Sequence, residues 1–234
     1  MIAIYKREMR AYFTTPIGYI FLAFFLSVSA LTFSLTTLYA QTTSVTGYFQ
    51  VLLYGMIVLL PLLTMKLFSE ERKQKTEQLL LTAPVTLWGM VTAKFLAAMT
   101  VYFGALTLTL FYFPILEIYG SVKLGMLFGN YFALLFAGAA VIATGLFVSA
   151  LTENQLTAAV GTIALLLLQV AFSLINSLLG DYWARFILAS LSIFSRFQAF
   201  SQGIFDFSAI VYYLSFTAIF LFLTVAVFHR RRYE

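Results

Sequence analysis

Cysteine is absent from the chain. That excludes disulfides, thiolate nucleophiles and cysteine-ligated metals. Histidine occurs once, as His229 in a basic tail, so a histidine-based triad or metal site has nothing to be built from. The Gly-x-x-x-x-Gly-Lys-Ser/Thr loop that cradles nucleotide phosphates is missing too. Charge is scarce: Asp, Glu, Lys and Arg make up 10% of the chain, where a soluble domain carries about 25%. No pair of acidic residues falls inside an apolar run, the place where ion-coupled transporters put their ionisable groups. The chain is therefore expected to be no enzyme, to hold no cofactor or metal of its own, and to take any energy it uses from a partner.

What is present is apolar. Hydrophobic residues make up 62% of the 234 positions, and a spanning helix needs about 20 of them in a row. No polar stretch is long enough for a soluble core, so a single membrane domain, 1–234, is expected. Between Arg10 and Lys66 no residue is charged. The polar cluster from Gln41 to Gly47 divides that stretch into spans over 17–39 and 48–65, with Pro61 expected to kink the second. Further spans are expected over 92–113, 130–151, 155–175 and 207–228. With Lys94 counted to the preceding loop, all six spans are read as free of Asp, Glu, Lys and Arg. The start of the chain, Lys6, Arg7 and Arg10 before an apolar run, resembles a signal peptide, but the run is too long and is read as the first span.

Orientation follows from the basic residues. Lys6, Arg7, Arg10, Lys66, Arg72, Lys73, Lys75, Lys94, Arg230, Arg231 and Arg232 lie on one side of six spans; Lys123, Arg185 and Arg196 lie on the other. That bias places both termini in the cytoplasm. At the N-terminus Ile2, Tyr5, Met9, Tyr12 and Phe13 fall near one helical face and Lys6, Arg7 and Arg10 on the remainder, which predicts an amphipathic helix on the inner leaflet over 1–15. Thr15 before Pro16 should end it. Over 180–196, Trp183, Ile187, Leu191 and Phe194 draw an apolar stripe, with Asp181, Arg185, Ser192 and Arg196 on the other side. An extracytoplasmic interfacial helix is expected there, its alternative being a helix packed on the other spans.

The cytoplasmic loop is the most distinctive segment. Ser69 to Gln78 contains no apolar side chain. Ser69 can cap a helix whose first turn holds Glu70 and Glu71, Leu79, Leu80 and Leu81 give it an apolar end, and Pro84 stops it. Two readings stay open on these residues alone: a docking element for a soluble protein, and a solvated connector.

The stretch Phe68-Ser69-Glu70-Glu71-Arg72-Lys73-Gln74-Lys75-Thr76-Glu77-Gln78-Leu79-Leu80-Leu81-Thr82-Ala83-Pro84-Val85 resembles the coupling segment of type-2 ABC transporter permeases. That family shows Glu-Arg or Glu-Glu-Arg, a central Thr, Glu, a Leu-Leu pair, then a small residue and Pro-Val. Lys94 resembles the lysine opening its third span, and Thr15-Pro16-Ile17-Gly18-Tyr19 its entry to the first. One departure stands out: many members have Gly before the central Thr, where this chain has Lys75. The resemblance covers the whole chain, and the nearest subgroup is the permease associated with bacterial gliding motility.

The resemblance implies an all-α integral membrane protein of the bacterial inner membrane. Six transmembrane helices would be joined by a cytoplasmic coupling helix (68–85) between the second and third and an interfacial or re-entrant segment between the fifth and sixth. It implies an ABC ATPase partner holding ATP and Mg, a second permease, identical or related, and contact with membrane lipid; no nucleic-acid partner is expected. Glu70, Glu71, Arg72, Lys73 and Glu77 would face the ATPase, with Leu79 and Leu80 anchoring the helix. Phe24, Phe25, Tyr54 and Phe172 would lie near a pathway between subunits, for a hydrophobic or amphipathic cargo. Small residues in the fourth span (Ala137, Gly138, Ala140, Val141, Gly145) would permit close packing. The rival reading is a membrane scaffold, or a subunit that transmits force without transport.

Overall fold

A computed structural model describes residues 1–41, 45–78, 85–119, 124–178, 192–197, 200 and 206–233. Most of these residues are helical, with no strand among them. The helices are α1 (Ile2–Thr14), α2 (Pro16–Phe33), α3 (Thr46–Thr64), α4 (Lys66–Lys73), α5 (Leu87–Thr109), α6 (Phe113–Tyr119), α7 (Leu124–Leu151), α8 (Gln155–Leu178) and α9 (Phe207–Tyr233). Among the described residues, six stretches are long and apolar enough to cross a membrane: Pro16–Leu38, Thr46–Lys73, Leu87–Glu117, Leu124–Leu151, Gln155–Ile175 and Phe207–Arg232. The chain is a multi-pass membrane protein.

The elbow between α1 and α2 forms as the sequence dictates. Thr15 is extended (φ −96°, ψ 154°) and Pro16 opens α2, because the proline ring disfavours the helical region for its predecessor and suits a first helical position. The buried stripe of α1 differs in part from the expected one. Ile4 and Tyr12 are buried, while Ile2 and Phe13 are exposed. Residues 4, 8 and 12 share one face at a spacing of four, which turns Glu8 inward.

α7 is the central helix, packed against α3, α4, α5, α8 and α9. Its small residues allow this. A Cβ at Gly145 would meet Thr64 Oγ1 at 2.1 Å, and one at Gly138 would meet the Tyr102 ring at 2.2 Å. Tyr102 uses that space to donate a hydrogen bond to the Leu134 carbonyl (2.8 Å). At the end away from α4, aromatic rings hold the bundle together. Phe49 stacks on Phe113 at 6.3 Å and meets Tyr131 edge-on at 5.1 Å, and Tyr48 shares a buried hydrogen bond with Ser29 (2.7 Å).

Several boundaries differ from expectation: the fourth span begins at Leu124, six residues before the expected 130, and the third runs on to Glu117. The second span does not stop at Met65; α4 continues it after a single turn residue, so Thr46–Lys73 forms one run. The third begins at Leu87, capped by Thr86, whose hydroxyl accepts the Gly89 N–H (3.2 Å). Lys94 therefore lies two turns inside α5, not in a loop. Residues 179–191, with most of the expected interfacial helix, fall outside the described residues.

Candidate functional site

The site lies where α4 meets α1, α5 and α7. Its geometry starts from a backbone problem. Pro61 has no N–H to give the Ile57 carbonyl; its own carbonyl still accepts the Met65 N–H (2.8 Å), and Met65 is the turn residue that separates α3 from α4. A helix start leaves orphan N–H groups. Here a hydroxyl from another helix takes them up: Ser149 Oγ accepts the N–H of Phe68 and of Ser69 (3.1 Å each) and donates to the Met65 carbonyl (3.0 Å). A side chain inserted between Met65 and Ser69 is a recognised cause of a kink. Ser69 is thus no N-cap. It is buried inside α4, and its own hydroxyl donates to the Met65 carbonyl.

Around this joint the charges form a connected web. Lys94, 1% exposed, donates to Glu8 (3.1 Å), to Glu71 (2.9 Å) and to the Leu67 carbonyl, so all three ammonium protons have acceptors. Its Nζ also lies 4.8 Å above the Phe68 ring. Arg7 bridges Glu8 (2.7 Å) and Glu71. Two cations and two carboxylates balance, which a half-buried cluster requires. Burial alone would raise the Glu8 carboxyl, but Lys94 and Arg7 outweigh it and hold Glu8 below the usual value.

That depression has a pH consequence. A carboxylate whose folded pKa is lowered stabilises the fold above its unfolded value, here 4.5, and the contribution is lost as pH falls through the folded value. Below pH 4.5, α1 is expected to loosen from α5. Faster trypsin cleavage at Arg7 and Arg10 after an acid pulse would register this, and cleavage unchanged by the pulse would contradict it.

Further pairs lie within α4 or tie this region to its neighbours. Lys66 meets Glu70 (3.1 Å); Arg72 meets Glu153 in the α7–α8 turn (2.9 Å) and the Leu151 carbonyl (2.8 Å). Arg231, near the end of α9, reaches Glu77 (3.0 Å) and the Ala150 carbonyl (2.8 Å). A cleft of about 530 Å³ opens between α1 and α4, bordered by Arg7, Glu8, Lys66, Glu70, Glu71 and Lys94 among others.

α4 ends in a Schellman turn. Thr76 N–H reaches the Glu71 carbonyl (2.9 Å) and Lys75 N–H the Arg72 carbonyl (3.1 Å), the two bonds that define this terminus. Its C′ residue takes the left-handed conformation; that residue is Lys75, with φ 56°. Glycine adopts this φ without steric cost, while a residue with a Cβ is strained by roughly 1–2 kcal/mol. Lys75→Gly is expected to raise stability by about 1 kcal/mol without altering the fold. Thermal unfolding checks this; a Tm below that of the wild type would contradict the strain.

The expected docking residues therefore divide. Glu71, Arg72 and Glu77 are partly buried in intramolecular pairs, and Glu70 is held by Lys66. Lys73 is exposed, as are Gln74 and Lys75 beside it. Leu79 and Leu80 lie outside the described residues. The expected pathway residues are not gathered at one place. Phe24 is exposed on α2. Phe25 is fully buried, edge-on to Tyr102 at 6.1 Å, and so belongs to the core. Tyr54 is 48% exposed and stacks on Phe194 at 5.7 Å. Phe172 is half-buried on α8.

Sequence reasoning did not single out Glu8, Ser149, Glu153 or Arg231 as site residues. Glu8 carried a signal: it is the one acidic residue before Glu70, and it sits on the apolar stripe of α1. Ser149 carried none, since a serine in an apolar helix looks like any small packing residue. Compared with protein-family models and with curated proteins, the chain gives no significant match.

Proposed function

We propose that the chain is the membrane-spanning permease subunit of an ATP-driven ABC-type exporter in a bacterial inner membrane. A separate ATPase subunit would dock at the α4 end, which faces the cytoplasm, and a second permease would pair alongside. The web of ion pairs is the observation that carries this reading. A docking site must pass force into the bundle, and α4 is continuous with α3, spliced to α7 by Ser149, clamped to α1 and α5 through Glu71, and linked to the α7–α8 turn through Arg72. Displacing α4 would move these elements together. The partner supplies nucleotide chemistry; this chain supplies the lever.

Among the described residues, Lys73, Gln74 and Lys75 are exposed at the end of α4, a basic tip suited to an acidic groove. The test is a pull-down from native membranes through a C-terminal tag, with ATPase activity assayed in the eluate. Wild type is expected to bring ATPase activity with it. Lys73→Glu with Lys75→Glu, which spares every ion pair described above, is expected to lose about tenfold of it. A wild-type eluate without ATPase would favour the scaffold reading.

A further inference from the structure

At the opposite end of the bundle a second polar site is unused by the α4 lever. Residues 192–197 form a turn packed between α3, α8 and α9. Ser192 donates to the Gln169 carbonyl (3.0 Å), Tyr213 donates to the Ile193 carbonyl (3.0 Å), and Phe194 stacks on Tyr54. One helical turn after Ser192, the Arg196 guanidinium lies over the Tyr212 ring, 5.7 Å from its centre. Two atoms here are buried and unpartnered, Arg196 Nε and the Tyr212 hydroxyl; Gln169 Oε1, on α8, is a third buried atom without a partner. The Gln169 side chain is 92% buried, at 8% exposure.

Depth makes this unusual. Tyr212 is five residues inside the start of α9, and Gln169 nine residues before the end of α8. At 1.5 Å per residue, the site lies roughly 8–14 Å below the helix ends. A cation at that depth is costly and is nearly always paired, and buried polar atoms are nearly always hydrogen-bonded. Arg196 has an aromatic face and no carboxylate partner among the described residues. Around it the surface is apolar: Tyr54 is half exposed, and Phe172, one turn from Gln169, shares its side of α8.

We propose that this is a binding site for an anionic amphiphile. Its phosphate or carboxylate head would pair with Arg196 and accept from the Tyr212 hydroxyl, and its apolar tail would lie along Tyr54 and Phe172. The role of cargo rests on the exporter reading; binding itself does not.

The test uses the purified full-length chain in detergent micelles. Phosphatidylglycerol and phosphatidylcholine of equal chain length are titrated, with bound lipid counted by native mass spectrometry. Wild type is expected to prefer phosphatidylglycerol by about tenfold, the weight of one charge-assisted hydrogen bond. Arg196→Gln should abolish the preference. Arg196→Lys, which keeps the charge, should retain it, as should Arg10→Gln at the other end of the molecule. A preference surviving in Arg196→Gln, or falling equally in Arg10→Gln, would overturn the proposal. Displacement of the lipid by inorganic phosphate would do so too, since it marks a site for a free anion. Co-purified ATPase is read separately, so its absence bears on the exporter reading alone.

Discussion

Replacing Lys94 with methionine is expected to destabilise the protein by about 3–5 kcal/mol, the usual cost of removing one partner from a buried ion pair. Methionine matches the length of the lysine stem and keeps the contact with Phe68, so little packing is lost. What is lost is the charge between Glu8 and Glu71, each about 3 Å from Lys94 Nζ, leaving two carboxylates with Arg7 alone. On the scaling for chains of this length, the loss lowers Tm by roughly 6–20 °C, which circular dichroism of the solubilised protein would show. Adding Glu8→Gln and Glu71→Gln should recover part of it, because neutral side chains need no counter-charge. An unchanged Tm in Lys94→Met would mean that the web contributes nothing.

The second large effect is expected at Ser149. Ser149→Ala removes one oxygen, yet it strands the N–H of Phe68, takes a second acceptor from the N–H of Ser69 and removes one of two hydroxyl donors to Met65. A buried orphan costs about 1–3 kcal/mol, and a loss of that size is expected. Thr144→Ala is the matched control. Its hydroxyl only doubles up on a carbonyl of its own helix, that of Ala140 (2.9 Å), so a change under about 1 kcal/mol is expected. Hydrogen exchange localises the effect: amides 68 and 69 should exchange faster in Ser149→Ala and not in Thr144→Ala. Equal exchange in both would refute the splice.

These two residues also show what the sequence could disclose. The six spans were legible because apolar runs of spanning length are separated by polar clusters, a signal contained within each segment. The α1–α2 elbow was legible for the same reason, since Thr15 and Pro16 act on each other directly. The start of α4 was not. Ser69-Glu70-Glu71 has the composition of a capped helix start, but the break comes four residues earlier, at Met65, and the cap from Ser149, 80 positions later. Lys94 looked like a loop residue because a lysine usually ends a span; burial between two carboxylates reverses that rule. The docking residues were read as a charged face, yet local sequence cannot say which charges already have partners. Lys75 is the converse case. Its place as the residue before Thr76 marked it as unusual, and the left-handed φ gives the physical reason a glycine suits that position.

The proposed function places an ATPase against the tip of α4. The absence of cysteine offers a clean probe. A single Lys73→Cys substitution, labelled with a photoactivatable maleimide in native membranes, reports only what lies against the tip of α4. Tyr39→Cys, 86% exposed at the other end of the first span, serves as the reference. The account predicts a cross-linked product at position 73, absent at position 39, in which mass spectrometry identifies a protein with a nucleotide-binding P-loop. Adducts at position 73 that match those at position 39, or that contain only lipid or a second copy of this chain, would contradict it.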